Sequence, residues 1–258
     1  MPYLFFIFGL FVGSFLNVVI LRLEGFPASL SLSKHLSSIF LGRSKCPKCR
    51  KKLPWYDLVP LVSFVALKGK CRYCKKPISL QYPLVEFFTG LLFALLFVKF
   101  GLSLVTVYWL LITGLLIILF VYDLKTQTIP DTIAYLGIGL AFVYSIFNFK
   151  FSIFNSILAP IIAGGFFAIL VLISKERWMG QGDIKIGALM GLLLGYPNVL
   201  VGLFLAFIMG ALAGLILIAM KKKTLKSQIP FGPFLILAIF ITIFFGEKIL
   251  NWYLGTLY

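Results

Sequence analysis

The stretch "WMGQGDIKIGALMGLLLGYPNVLV", Trp178 to Val201, sets a carboxylate at the edge of a long apolar run. Asp183 lies between Gly182 and Ile184, and the sixteen residues from Ile186 to Val201 carry no charge. Ionisable groups at membrane depth are costly and usually mark function. The stretch therefore raises two questions: whether the run belongs to a membrane helix, and what the carboxylate does there.

The composition answers the first question. The chain has 258 residues, of which 61% are hydrophobic, and its mean hydropathy is +1.05. Soluble domains are about 45–50% apolar, and a membrane helix needs about 20 apolar residues. We predict an all-α polytopic membrane protein with about eight transmembrane helices. The apolar runs lie at 3–21, 84–98, 103–122, 132–148, 153–173, 184–196, 198–220 and 230–246.

The first run lies where a cleaved signal peptide would lie, which is the alternative to a membrane helix. No basic region precedes it, and Leu21-Arg22 follows it where a cleavage site would need small residues. We therefore predict that residues 1–23 form the first transmembrane helix.

The chain has a net charge of +16, and its basic residues are concentrated in alternate connections between the apolar runs. Thirteen of the 24 Lys and Arg residues lie between Arg22 and Lys76, and eight more lie in three later, alternate connections. Basic residues mark cytoplasmic loops. The pattern predicts that both termini lie outside, that the first loop is cytoplasmic, and that the basic charge faces the cytoplasm and anionic lipid headgroups, so no nucleic acid is expected as a partner.

The first loop, residues 24–83, carries all four cysteines in two Cys-x-x-Cys knuckles separated by 21 residues. Paired knuckles are typical of a zinc ribbon, in which four thiolates surround one metal ion. We predict a structural Zn²⁺ that stabilises a loop with little core of its own; a redox dithiol is the alternative. The proposed ligands are Cys46, Cys49, Cys71 and Cys74.

The chain has only eight acidic residues. Asp123 and Asp183 stand 60 positions apart, but the predicted topology places both at cytoplasmic ends of apolar runs. Two carboxylates that meet share one proton, so one activates water while the other polarises a peptide carbonyl. Gly180 and Gly182 would then leave room for a substrate backbone. The alternative is that Asp183 caps a helix and Asp123 lies at an interface.

Other catalytic arrangements lack their residues. His35 is the only histidine, so neither a Ser-His-Asp triad nor a two-histidine metal site is supported. No phosphate-binding loop of the Gly-x-x-x-x-Gly-Lys type occurs, which argues against an ATP-driven transporter. Glycines repeated every four residues at Gly187, Gly191 and Gly195 predict close helix packing.

Several motifs occur together in a particular order. They are GSFLNVVILR (13–22), the two knuckles, LPWYDLVPL (53–61), LKGKCRYC (67–74), ISLQYPLVEFFTG (78–90), Tyr122-Asp123, IPD (129–131), GQGD (180–183) and IPFGPFL (229–235). With them the chain resembles the type IV prepilin peptidases. This family consists of bifunctional leader peptidases and N-methyltransferases among the Gly-x-Gly-Asp intramembrane aspartyl peptidases.

The resemblance implies that Asp123 and Asp183 are the catalytic pair of a peptidase domain over 84–258. It implies cleavage of basic leaders from prepilins and pseudopilins, after a glycine, at the cytoplasmic face of the bacterial inner membrane. Asp131 would have a structural or substrate-orienting role, and Pro230 would shape the substrate cleft.

The resemblance also implies methylation of the new N-terminal residue, with S-adenosylmethionine as the methyl donor. This activity would belong to the first helix and the loop, including Gly69 and Lys70. Asn17, Arg22 and Glu86 are further candidates because they are polar groups at predicted membrane boundaries, where a role as interfacial anchors is the alternative.

Two hypotheses of other classes remain for comparison. An ion or proton transporter would use Asp123 and Asp183 as a relay, although transporters more often place such groups near the middle of the membrane. A zinc-ribbon membrane scaffold without chemistry would leave the two aspartates unexplained.

Overall fold

The apolar runs fold as helices because a helix satisfies its own backbone N–H and C=O groups, for which lipid offers no partners. The computed structural model describes residues 1–24, 44–147, 153–221 and 229–255. The helices within these ranges are α1 (Pro2–Glu24), α2 (Val62–Ala66), α3 (Gln81–Phe100), α4 (Leu104–Thr126), α5 (Asp131–Phe147), α6 (Ile153–Ser174), α7 (Gln181–Leu194), α8 (Asn198–Ala219) and α9 (Gly232–Gly255). The opening of the predicted loop domain, with His35, lies outside the described residues.

Six of the eight predicted runs become helices that are long and apolar enough to cross a membrane: α1, α3, α4, α6, α8 and α9. The other two become α5, with 17 residues, and α7, with 14. At about 1.5 Å per residue α7 is roughly 21 Å long, against about 30 Å for the hydrocarbon core. The all-helical, polytopic architecture is confirmed: among the described residues six helices are long and apolar enough to span a membrane, and the helices of the other two runs, α5 and α7, are shorter.

The chain divides into two compact units, an N-terminal unit over Met1–Ile118 and a C-terminal unit over Leu119–Tyr258. In the N-terminal unit α1 and α3 run antiparallel in close contact. A Cβ at Gly9 would lie 2.7 Å from the Cα of Gly90, so the two backbones touch. Further along the same contact, the Asn17 amide donates a hydrogen bond to the Tyr82 carbonyl at 3.1 Å.

The cysteine loop is tied to these helices by polar contacts. Each knuckle is closed by an antiparallel bridge, and a 3₁₀ turn (Trp55–Leu58) and α2 lie between the knuckles. Arg72 of the second knuckle pairs with Asp57 of the 3₁₀ turn at 2.7 Å. The Leu61 N–H donates a hydrogen bond to the Glu86 carboxylate of α3 at 2.9 Å. The loop is therefore held against the start of α3.

The C-terminal unit is built around α7, which contacts α5, α6, α8 and α9. The predicted close packing occurs along α6. A Cβ at Gly191 would lie 2.4 Å from the Cα of Pro160, and one at Gly187 would lie 2.6 Å from the Phe167 ring. Gly195 has a different role, because it ends α7 with a φ of +66°.

Candidate active site

Asp123 lies one turn before the end of α4 and is buried, with 5% of its surface exposed. The backbone N–H of Gly232, the first residue of α9, hydrogen-bonds to its carboxylate. A Cβ at Gly232 would lie 2.5 Å from the Asp123 Oδ2, so only glycine fits there without displacing the carboxylate. No role was predicted for Gly232 itself, although it lies within the IPFGPFL motif.

Aromatic packing fixes the start of α9 in this position. The ring of Phe231 lies 5.1 Å from that of Phe207 in α8 and 5.9 Å from that of Phe167 in α6, measured between centroids. Aromatic pairs at these distances add stability beyond the area they bury. The residue before Gly232 is therefore anchored to two helices, and the Gly232 amide is held against Asp123.

Asp183 is the third residue of α7 and is also buried. Its Oδ2 accepts a hydrogen bond from the Gly180 N–H at 3.2 Å. The helix-capping alternative therefore describes a contact that is present. A carboxylate has two oxygens with several acceptor positions, so this cap leaves capacity for chemistry.

The two aspartates line one cavity of about 440 Å³. The cavity is formed by the end of α4, the α4–α5 connection, the α6–α7 connection, the start of α7 and the residues that precede α9. Folding thus brings together two buried carboxylates that are 60 residues apart in the sequence.

The two glycines predicted to receive a substrate backbone differ in their surroundings. Gly180 is exposed, and a Cβ there would meet no atom closer than 4.0 Å. At Gly182 a Cβ would lie 2.5 Å from the Ile129 side chain of the α4–α5 connection. The open space predicted at Gly182 is therefore filled by Ile129, and only Gly180 offers room.

Asp131 and Pro230 both line the same cavity. Asp131 begins α5 and forms an ion pair with Lys185 of α7 at 2.5 Å. Lys185 also lies over the ring of Tyr135, 5.4 Å from its centroid. The pair links α5 to α7 two residues beyond Asp183, which is compatible with the structural role expected of Asp131.

In the N-terminal unit the four cysteines form a single cluster. Their Sγ atoms all lie within 4.8 Å of one another, and Cys46 and Cys71 are buried. Tetrahedral zinc with Zn–S bonds of about 2.3 Å places its sulfurs roughly 3.8 Å apart. The cluster therefore fits one zinc ion, as a zinc-ribbon-like loop requires.

The thiols of the cluster differ in acidity. Backbone N–H groups of the second knuckle, first that of Cys74, lower the pKa of Cys71 to about 7. At Cys49 the Lys51 amide acts in the same direction, but burial and the neighbouring Cys46 and Cys74 thiols outweigh it and raise the pKa to about 11. The thiolate is the form that binds metal. Cys71 therefore ionises more readily than Cys49.

A larger cavity, of about 850 Å³, lies within the N-terminal unit. Asn17, Arg22 and Glu86 line it, so three of the five residues considered for methyl transfer line the same cavity. Gly69 ends the turn that precedes the second knuckle, and Lys70 forms with Pro77 the bridge that closes that knuckle. A Cβ at Gly69, which has a φ of +67°, would lie 3.2 Å from the ring of Phe64, itself a lining residue.

Comparisons with known proteins identify the class. The family model "Bacterial Peptidase A24 N-terminal domain" matches residues 7–100, and that of the "Type IV leader peptidase family" matches residues 109–215. No solved structure matches the chain significantly. The two domain matches define a bacterial membrane peptidase with a separate N-terminal domain.

The curated relatives make the family specific. A "Prepilin leader peptidase/N-methyltransferase" of Legionella pneumophila is 33% identical over 96% of this chain and 93% of its own length. Proteins of the same name from Stutzerimonas stutzeri (31% identical, over 96% of this chain and 92% of the relative) and Bacillus subtilis (30%, over 96% of each) match similarly. The chain belongs to the prepilin leader peptidase/N-methyltransferase family and is a multi-pass membrane enzyme of the peptidase and methyltransferase class. The predicted resemblance is confirmed, and the transporter alternative is not favoured.

Proposed function

We propose that this protein cleaves the basic leader from prepilins or pseudopilins with Asp123 and Asp183, and then methylates the new N-terminal residue. The observation that carries the proposal is the shared cavity: both carboxylates are buried, and both line it. The curated relatives named as prepilin leader peptidases and N-methyltransferases support the choice of substrate and of the second reaction.

The proposed peptidase step is a direct attack of water. The buried pair holds one proton, so that the ionised carboxylate takes a proton from water while the protonated one donates to the scissile carbonyl. Each aspartate is fixed by a backbone N–H, that of Gly232 or that of Gly180. Such fixed donors hold the carboxylates in place before the substrate arrives.

We place the cleavage at the cytoplasmic face of the bacterial inner membrane. Twenty-one of the 24 Lys and Arg residues lie in the same alternate set of connections, which supports termini outside and the cysteine loop in the cytoplasm. Asp123 near the end of α4 and Asp183 near the start of α7 both adjoin connections of that set. A basic leader would itself stay on the cytoplasmic side by the same rule.

The N-terminal unit is proposed to carry the methyltransferase. Cys46, Cys49, Cys71 and Cys74 would hold a structural Zn²⁺, which contributes to the stability of the loop. S-adenosylmethionine would supply the methyl group. Asn17 fixes the contact of α1 with α3 through its bond to Tyr82, and Gly69 supports the Phe64 ring at the wall of the cavity.

Replacement of the aspartates tests the peptidase. Asp123→Asn and Asp183→Asn are each expected to lower cleavage of a purified prepilin by at least about 100-fold, because the pair then lacks an acid or a base. Glu247→Gln, an exposed carboxyl-to-amide change in α9, is the matched control and should cleave normally. Cleavage that persists in both Asn variants would exclude the aspartate-pair mechanism.

A further inference from the structure

The cavity of the N-terminal unit has the size of a ligand site. Its volume of about 850 Å³ falls within the range of about 300–1,000 Å³ typical of sites that enclose small molecules. All the residues that line it belong to the N-terminal unit, and the two catalytic aspartates line a different cavity. Within the described residues, each unit thus has a cavity of its own.

Two carboxylates line this cavity. One is paired with a cation, and the other is not. Asp57 forms an ion pair with Arg72, whose guanidinium makes three hydrogen bonds to it. Glu86 is 7% exposed, and its contacts are the Leu61 N–H and the Ser14 side chain. Among the described residues, Glu86 is therefore a buried carboxylate with neutral hydrogen-bond donors and no cation.

A buried charge is stable when a charge of opposite sign pairs with it. The ligand that fits beside Glu86 is accordingly a cation. The methyl group is accepted by an N-terminal amine. In its protonated form this amine is a compact cation with three N–H donors. The exposed Lys45, Lys48 and Lys76 also line the cavity, and their positive charges suit the carboxylate of the methyl donor.

We propose that this cavity is the chamber for methyl transfer and that Glu86 binds and deprotonates the substrate's N-terminal ammonium. This inference rests on the proposed methyltransferase activity and names the site of that activity. One ammonium proton passes to Glu86. The freed lone pair on nitrogen then attacks the methyl carbon of S-adenosylmethionine; a C–N bond forms, the C–S bond breaks, and its electron pair remains on sulfur as a neutral thioether.

The test separates methyl transfer from proteolysis by using a synthetic, already mature pilin peptide with a free N-terminus. The full-length protein in detergent is incubated with this peptide and with S-adenosylmethionine labelled in its methyl group. Glu86→Gln keeps the shape of the side chain and an oxygen acceptor for the Leu61 N–H. We expect it to lower methyl transfer at least about 100-fold, while its binding of the donor and its cleavage of a prepilin stay within about 2-fold of the unchanged protein. Glu247→Gln serves again as the exposed control.

Methyl transfer at the normal rate by Glu86→Gln would overturn the proposal. Loss of donor binding in that variant would also overturn it, because Glu86 would then hold the donor and not the amine. An unchanged protein that cleaves prepilin but leaves the mature peptide unmethylated would refute the methyltransferase activity itself.

A second measurement covers the case in which Glu86→Gln does not fold. A mature peptide whose first residue carries a photoreactive group is crosslinked to the unchanged protein, and the labelled segment is found by mass spectrometry. The expected label lies on Ser14, Asn17, Tyr82 or their neighbours, which line the chamber near Glu86. A label confined to the C-terminal unit would overturn the assignment.

Discussion

Because Gly232 has no Cβ, the Asp123 carboxylate can occupy the space beside it. Gly232 also provides the N–H that hydrogen-bonds to this carboxylate. A residue without side-chain chemistry thus determines where one half of the catalytic pair stands. Gly180 does the same for Asp183 through its own N–H, at 3.2 Å.

Gly232→Ala is expected to lower prepilin cleavage by about 100-fold, because displacing a catalytic group by an ångström has effects of that size. The added Cβ would lie 2.5 Å from the Asp123 Oδ2 and would push the carboxylate away. The measurement is the rate of cleavage of purified prepilin in detergent. Normal cleavage would show that the Gly232 contact is unimportant for catalysis.

Gly214→Ala is the matched control for this change. Gly214 is a helical glycine of the same unit, and an added Cβ there would meet no atom within 4 Å. We expect it to retain full cleavage and to keep or slightly raise stability, since alanine favours the helix by up to about 1 kcal/mol.

At the scale of the element, the seam between α6 and α7 sets the position of Asp183. Along this seam Gly191 lies against Pro160, backbone to backbone, and Gly164 lies against Ala188. In lipid, where hydrophobic burial does not drive association, such close approach stabilises helix pairs through van der Waals contact. The 14 residues of α7 are thereby held among four helices.

Gly191→Ala is expected to destabilise the protein by about 1–3 kcal/mol, the usual cost of inserting an atom into a packed core. Its Cβ would lie 2.4 Å from the Pro160 Cα and 2.5 Å from the Ala159 carbonyl oxygen, and neither backbone atom can rotate away. The measurement is the midpoint of thermal unfolding in detergent. Gly165→Ala, in α6 with open space around it, should leave the midpoint nearly unchanged and serves as control.

At the scale of the whole molecule, each unit has its own cavity and its own chemically specialised residues. The N-terminal unit contains the cysteine cluster and the chamber with Glu86, and the C-terminal unit contains both aspartates. The two family models divide the chain in the same order, at residues 7–100 and 109–215. A substitution in one unit is therefore expected to impair either methylation or cleavage and to leave the other reaction intact.

Cys71→Ser is expected to lower the zinc content from about one ion per chain towards zero, since a four-thiolate site loses one ligand. Methylation of a mature peptide should fall with it, because Cys46 and Cys71 line the chamber, whereas cleavage of prepilin should persist. Metal analysis and the two assays measure this. Asp123→Asn is the reciprocal control and should keep both zinc and methylation. Equal loss of both reactions in Cys71→Ser would contradict separate sites.

The sequence was sufficient for the features that depend on position along the chain. Within the described residues, hydropathy located every α-helix except α2, and the alternation of charge singled out Asp123 and Asp183. The cysteine spacing predicted the cluster in which the four sulfurs meet.

Contacts between residues that are distant along the chain could not be predicted from the sequence. Nothing in the sequence indicates that Ile129 covers Gly182, because Ile129 lies in the α4–α5 connection, Gly182 lies in α7, and the two meet only through the packing of α5 against α7. The role of Gly232 was missed for the same reason. Hydropathy also does not reveal which apolar helix is enclosed by its neighbours, as α7 is, with nine of its 14 residues buried.

The length of α7 has a consequence for the supply of water. Its neighbours α6 and α8 have 22 residues each, so at about 1.5 Å per residue they exceed α7 by roughly 12 Å. Because protein surrounds α7, this difference in length leaves space within the helix bundle, and the cavity of about 440 Å³ lies at the start of α7. Exposed Glu176 and Arg177 of the α6–α7 connection line it, as does Gln181, the first residue of α7. Hydrolysis consumes one water molecule per bond, and we expect that water to reach the aspartates past these polar residues.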